Sequence, residues 1–331
     1  MIQLPGFVWS INPSVGLAVG NPSRRSLNVA SKRKLMKPAP FKYHAPTNLM
    51  DALDLLQQHS DDGRLLAGGQ TLVPMMNYRI AVPQVIVDLN RIDCLNFVNS
   101  ENGFVRIGAM TRQRDIEFSS VIARALPLLR EAVRFVGHLP TRTRGTVGGS
   151  IANADAAAEL PMVLQVLEGE VKVVSSSGDR IIAAQDVVID PMVTSIAADE
   201  ILTEVRFPVM RSGARYAIEE FSRKRGDFAV AAVAVLLEFD GNKCVKARIA
   251  TAGIAGKSAC LQLAEQALEG AEIDEIGIAA ASRAVSEGVD AVADRNGSAD
   301  YRRHLAGVLT RKALRKAMQA EQAKPDISPE P

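Results

Sequence analysis

Two short glycine-rich segments hold the residues best suited to chemistry in this chain. The first is Leu66-Ala67-Gly68-Gly69-Gln70-Thr71-Leu72-Val73. The second runs from Thr143 through Gly145, Thr146, Val147, Gly148, Gly149 and Ser150 towards Asp155 and Glu159. Glycine admits positive φ and leaves the backbone open to close approach. Successive N–H groups can then face one concavity and hold a diphosphate with few basic side chains. Gln70, Thr71, Thr146 and Ser150 add side-chain donors. Neither segment carries the Gly-Lys-Ser/Thr of a Walker loop, and neither reads Gly-x-Gly-x-x-Gly. Two such cradles so close in sequence point to one diphosphate gripped from both sides, in a ligand larger than a mononucleotide. Asp155 and Glu159 stand four apart at the start of the helix expected next. Acids there either complement the helix dipole or accept hydrogen bonds from ribose or ribityl hydroxyls.

The remaining reactive residues are sparse. Cys94, Cys244 and Cys260 lie far apart, which excludes a disulfide framework and any Cys-x-x-Cys metal or iron–sulfur site in this chain. Of the four histidines, only His138 lies near a glycine segment, and a surface or structural role fits it better than covalent attachment of a cofactor. Arg223-Lys224-Arg225 reads as a solvated strand end, with a ligand phosphate or a partner as the alternative. No residue is expected to serve as a catalytic acid, base or nucleophile, and none as a metal ligand.

Elements that would position the cradles follow from pattern. Asn48 caps a helix with Leu49, Leu53 and Leu56 at helical spacing. Arg64–Ala67 is a strand entering the first cradle, and Thr71–Arg79 is helical, with Pro74 confined to its first turn. Val85–Leu89 and Phe104–Ile107 are strands. Helices are expected over Arg112–Phe118, Ser120–Phe135 and Ala154–Leu167, with a loop from Gly137 to Gly149 between the last two. Short strands then lead to Pro208, and Gly213 marks a boundary. Beyond it, Tyr216–Ser222, Phe228–Phe239 and Lys243–Ala252 form a meander turning at Asp240-Gly241-Asn242, followed by helices over 258–268, 274–287 and 298–320.

The length, 331 residues, suits two domains; 47% hydrophobic and 23% charged residues suit a buried core. A net charge of +2 and 5% aromatic residues argue against a nucleic-acid partner, and no apolar run is long enough to span a membrane. Residues 1–35 carry Arg24, Arg25, Lys32, Arg33 and Lys34 without one acid, which leaves 34 basic against 37 acidic residues in the rest. This segment reads as a disordered basic extension, and Met36 opens what looks like a natural beginning.

Residues Leu66–Asn90 and Thr143–Pro161 closely resemble the flavin-binding medium subunit of molybdenum hydroxylases. That family includes the carbon monoxide dehydrogenase flavoprotein and, more distantly, the flavin domain of xanthine dehydrogenase. The likeness continues through Arg225-Gly226-Asp227-Phe228-Ala229, Ala252-Gly253-Ile254 and Tyr301-Arg302-Arg303-His304-Leu305, and covers residues 36–320. It implies an α+β fold: a vanillyl-alcohol-oxidase-type (PCMH) FAD-binding domain of two α/β subdomains at 36–212. A C-terminal domain of antiparallel sheet and helices like that of the carbon monoxide dehydrogenase flavoprotein follows at 213–320, with a tail at 321–331.

The resemblance also implies noncovalent FAD, held by Leu66, Ala67, Gly68, Gly69, Gln70, Thr71, Leu72 and Val73 and by Thr146, Val147, Gly148, Gly149 and Ser150. Glu159, Leu202 and Thr111 are further implied contacts, and Asp155 joins them as a candidate. Relatives place a lysine near the strand before Arg-x-Gly-Asp, where this chain has Glu219 and Glu220. The implied partners are a small subunit with two-iron two-sulfur clusters and a large subunit with the molybdenum cofactor. Together they would form a dimer of heterotrimers that passes electrons through FAD to an external acceptor, and the scattered thiols of this chain fit a reducing cytoplasm. The rival reading is a stand-alone FAD oxidase or dehydrogenase of the same fold, for which the chain shows no obvious base or covalent anchor.

Overall fold

The computed structural model describes residues 36–59, 61–256 and 259–319. The basic extension and the tail expected from the sequence lie outside the described residues.

Three parallel strands open the fold. They are β1 (Lys42–His44), β2 (Gly63–Leu66) and β3 (Val85–Asp88), in the order β1-β3-β2. Helix α1 (Leu49–Gln58) follows β1, and α2 (Leu72–Asn77) follows β2. The Asn48 side chain accepts from the Asp51 N–H at 2.9 Å, and Ala52, Leu53 and Leu56 bury one face of α1.

The second layer is antiparallel. Strands β4 (Val98–Glu101) and β5 (Phe104–Gly108) form a hairpin at Asn102-Gly103. Helices α3 (Gln113–Phe118), α4 (Ser120–Ala125), α5 (Pro127–Val133), α6 (Leu139–Arg144), α7 (Val147–Asn153) and α8 (Glu159–Val166) follow. After them come β6 (Glu170–Ser175), β7 (Gly178–Ala183), α9 (Ala184–Val187), β8 (Val188–Asp190), β9 (Val193–Thr194) and β10 (Ile201–Pro208). The five-stranded order is β4-β5-β10-β6-β7. Three sequence expectations need correction here. The helix expected over 120–135 breaks at Leu126, because Pro127 starts a new helix at its first position. The loop expected from Gly137 to Gly149 is two short helices. The helix expected from Ala154 begins at Glu159, because Ala154 takes a left-handed φ of 48° and closes α7.

The C-terminal sheet has four strands, not three. They are β11 (Arg215–Phe221), β12 (Ala231–Asp240), β13 (Lys243–Ala252) and the two-residue β14 (Ala259–Cys260), in that order. Helices α10 (Gln262–Gln266), α11 (Glu275–Gly288) and α12 (Ala299–Gln319) complete the chain. Period-two alternation divides the sheet between two cores. Ala217, Val233, Val235 and Ile249 pack towards α11 and α12. Ile218, Ala232, Ala234, Ala250 and Ala252 share the core of α5 and α8. Helix α8, wedged there, is buried at every position.

Candidate functional site

A cavity of about 710 Å³ opens between the two glycine segments, within the usual range for cofactor pockets. Its walls include Leu66, Ala67, Gly68, Gly69, Gln70, Thr71 and Leu72 from the first segment and Thr146, Gly148, Gly149 and Ser150 from the second. Asp155, Glu159 and Leu202 line it as well. Gly226, Asp227 and Phe228 reach it from the C-terminal domain, and the Phe228 ring is 70% exposed on the rim. Three of the residues singled out from the sequence stand outside the lining. Val73 faces solvent. Val147 is fully buried in the core beneath. The Thr111 hydroxyl donates to the Phe97 carbonyl at 2.9 Å and accepts from the Phe97 N–H at 3.2 Å.

The two segments touch each other. A Cβ on Gly68 would lie 2.5 Å from the Arg144 carbonyl oxygen, and one on Gly149 would lie 2.6 Å from Thr146 Oγ1 and 3.3 Å from Ala67 Cβ. The contact is clipped by side chains that the sequence reading passed over. Asn90 Nδ2 donates to the Ala67 carbonyl at 2.9 Å. Arg112 donates to Asn90 Oδ1 at 2.5 Å and to the Arg144 carbonyl at 2.6 Å. Burial, with Arg144 nearby, holds the Arg112 pKa below the ordinary arginine value. Asp88 anchors Asn90 in turn, and Tyr43 donates to Asp88 at 2.5 Å. In the sequence, Asp88 and Asn90 show only as the end of a strand.

Backbone donors are distributed unequally between the two segments. In the second segment every N–H at the start of α7 already has an acceptor. Val147 donates to Thr111 O at 3.0 Å, Gly148 to Ala109 O at 2.9 Å, Gly149 to Thr146 Oγ1 at 3.0 Å and Ser150 to Thr146 O at 3.2 Å. In the first segment, among the described residues, no acceptor meets the N–H groups of Gly68, Gly69, Gln70 and Thr71. Gly69 makes this possible with φ +70°. Four consecutive unpaired donors on residues that line a cavity are suited to an anion. The second segment contributes a packed wall and the Ser150 hydroxyl.

Glu159, also in the lining, opens α8 with only 7% of its surface exposed. Burial, reinforced by Asp155, pushes its carboxyl up to about 7. His138, just outside the lining, packs its ring on Gly226. Among the described residues no group of three His, Cys, Asp or Glu could hold a metal ion, and Cys94, Cys244 and Cys260 are free thiols.

The family described as "FAD binding domain in molybdopterin dehydrogenase" matches residues 39–210, and "CO dehydrogenase flavoprotein C-terminal domain" matches residues 216–317. The chain belongs to the FAD-binding family of the molybdopterin dehydrogenases. Within this family it is 38% identical over 284 residues to the 6-hydroxypseudooxynicotine dehydrogenase complex subunit alpha of Paenarthrobacter nicotinovorans, covering 86% of this chain and 96% of that protein. Its fold is similar to a chain of carbon monoxide dehydrogenase from Hydrogenophaga pseudoflava, with TM-score 0.83 and 34% identity over 85% of this chain and 98% of that one. It is similar also to a chain of quinoline 2-oxidoreductase from Pseudomonas putida 86, with TM-score 0.82 and 32% identity over 86% and 98%. Membership establishes the fold expected from the resemblance: an FAD-binding domain joined to a C-terminal domain of sheet and helices. It also makes the chain a subunit of oxidoreductase type. No helix among the described residues is long and apolar enough to cross a membrane.

Proposed function

We propose that this chain is the FAD-binding electron-transfer subunit of a heteromeric molybdenum hydroxylase. The observation that carries the proposal is the run of four unpaired N–H groups at Gly68–Thr71, on residues that line a cavity walled by both glycine segments. That arrangement fits a diphosphate-bridged cofactor, because it offers donors at one wall and apolar surface such as Leu66, Leu72 and Leu202 elsewhere. Relatives named as subunits or medium chains of dehydrogenase complexes support the rest.

In this reading residues 36–212 hold the cofactor and residues 213–320 close one side of its cavity. The N–H groups of Gly68, Gly69, Gln70 and Thr71 hold the diphosphate, with the side chains of Gln70, Thr71 and Ser150 as further donors. Asp155 and Glu159 face cofactor hydroxyl or ring groups, and Leu202 supplies an apolar wall. FAD, when bound, supplies a centre that takes and returns one or two electrons. The chain's own residues bind it without a covalent bond, orient it and exclude water. Partners complete the assembly: a small subunit with two-iron two-sulfur clusters and a large subunit with the molybdenum cofactor, in a cytoplasmic dimer of heterotrimers. The large subunit oxidises the substrate, and electrons leave the assembly from this chain to an external acceptor.

The test is to purify the full chain and measure its flavin spectrum and stoichiometry, then its co-purification with a molybdenum-containing subunit. One FAD per chain, released intact on denaturation, is expected. Oxidation of an organic substrate at full rate by the isolated chain would instead identify a stand-alone enzyme.

A further inference from the structure

Glu220 of β11 is a carboxylate with unusual surroundings. It lies on the face of β11 turned towards the first domain. In register it stands beside Ala232, which stands beside Ala252. The next residue, Gly253, donates its N–H to the Ala156 carbonyl at 2.7 Å, three residues before Glu159. This row of small residues runs from Glu220 to the start of α8. Glu220 Oε2 is sealed from solvent and has no hydrogen-bond partner.

Among the described residues no cation compensates the two carboxyls. Among the described residues neither Glu159 nor Glu220 enters an ion pair. Glu219 points to the opposite face of β11, where it pairs with Lys312 at 2.6 Å and Lys316 at 3.4 Å on α12. Lys316 also holds Glu131 of α5, at 2.6 Å, and Arg130 of α5 donates to the Glu117 carbonyl. Arg302 of α12 is tied to Asp294 and to the carbonyls of Val230 and Gly253. Strands β12 and β13 contribute only Ala232 and Ala252 to the row. The remaining charge acting on the pair is Asp155, on Glu159, and it is of the same sign. Burial first, and the charge of Glu159 second, push Glu220 up to about 8. Two like charges in such an enclosure ionise in coupled steps, the first opposing the second.

We propose that Glu220 is a positioning residue acting through Glu159: the two carboxyls retain a proton at the wall of the cavity, and filling the cavity with FAD draws a further proton onto the pair. The inference rests on the FAD reading given above. Displacing water from beside Glu159 removes solvation from its charged form and so favours the acid. The proton comes from solvent and lands on a carboxylate oxygen; no electron moves.

The experiment is calorimetric titration of the full chain with FAD, in buffers of differing ionisation enthalpy, between about pH 6 and pH 9. The parent is expected to take up protons on binding, with Kd rising by up to about tenfold per pH unit, the limit for one linked proton. Glu220→Lys puts a cation beside Glu159, keeps Glu159 ionised and removes both effects. Glu220→Gln keeps the Glu159 step and loses the more alkaline one. Binding without proton uptake in the parent, or unchanged uptake in Glu220→Lys, overturns the inference. A second measurement stands apart from cofactor binding: the infrared band of a protonated carboxylic acid in the cofactor-free chain at neutral pH. Its presence in the parent and loss in the Glu159→Gln/Glu220→Gln double variant support the pair, and its absence from the parent overturns it. A chain that shows the band yet never binds FAD would overturn the functional reading and the linked proton uptake, leaving the pair itself in place.

Discussion

Gly148→Ala tests whether the second glycine segment is a structural wall. A Cβ at this position would stand 2.5 Å from Ala109 Cβ, 2.8 Å from Ala109 Cα and 2.9 Å from Ala109 O. Two of these atoms are backbone, so no rotamer change relieves the clash. The Gly148 N–H bond to Ala109 O, 2.9 Å long, must stretch as α7 moves away. Overpacking of this kind costs about 1–3 kcal/mol. The displaced turn also carries Gly149 and Ser150, which line the cavity. A comparable part of that cost in the binding equilibrium weakens FAD by roughly ten- to a hundredfold, since each 1.4 kcal/mol is a factor of ten. Gly148→Val adds a branched side chain to the same clash and should lose the cofactor altogether. The assay is thermal unfolding of the cofactor-free chain alongside FAD Kd by fluorescence. Gly288→Ala, at the end of α11 with no positive φ and nothing within 4 Å of its added Cβ, is the control for general glycine effects. If Gly148→Ala melted like the parent and retained FAD fully, the tight packing of α7 against the strand end would be refuted.

Three further outcomes follow from the geometry. Asn90→Ala removes the bridge among Ala67, Asp88 and Arg112, so it should cost about 1–3 kcal/mol of stability and weaken FAD binding, measured by denaturant unfolding and by Kd. Phe228→Ser should leave stability within about 0.5 kcal/mol, because the ring is exposed, yet reduce cofactor affinity; equal melting with unequal Kd is the signature. The third concerns pH. Glu159 has its pKa raised from 4.5 to about 7, so the folded chain keeps a proton that the unfolded chain has lost. Stability of the cofactor-free chain should therefore fall as pH rises from about 4.5 to about 7, and Glu220, raised to about 8, carries the fall on to about pH 8. Glu159→Gln should remove the Glu159 share of that fall and be the more stable form at alkaline pH by on the order of 3 kcal/mol, read from melting temperature against pH.

What could be read from the sequence was local. The Asn48 cap and the Asp240-Gly241-Asn242 turn carry their signal within a few residues and fold as read, whereas the apolar strand read from Phe228 begins at Ala231 and leaves Phe228 exposed. Strand β4 has a single apolar residue, Val98, and owes its conformation to the ladder with β5 rather than to its own propensity. Helix α7 looked like loop because Val147-Gly148-Gly149 has poor helix propensity. Its start is held by the carbonyls of Ala109 and Thr111, far away in the chain. The same distance hid Asn90 and Arg112, whose roles exist only once the two segments are side by side. Gly68, Gly69 and Gly149 were visible as glycines, but not the reason for each. At Gly69 it is a left-handed φ, and at Gly68 and Gly149 it is contact between segments.

Alanines 232, 234, 250 and 252 form the seam by which the C-terminal sheet lies against α8. Their small size sets how near the two bodies stand, and hence where the turn bearing Phe228 reaches the cavity. Enlarging any of them would pry that turn outward without altering one cofactor-facing atom. The seam is thus a spacer, and inherited defects in flavin retention are to be sought along it as much as in the pocket itself.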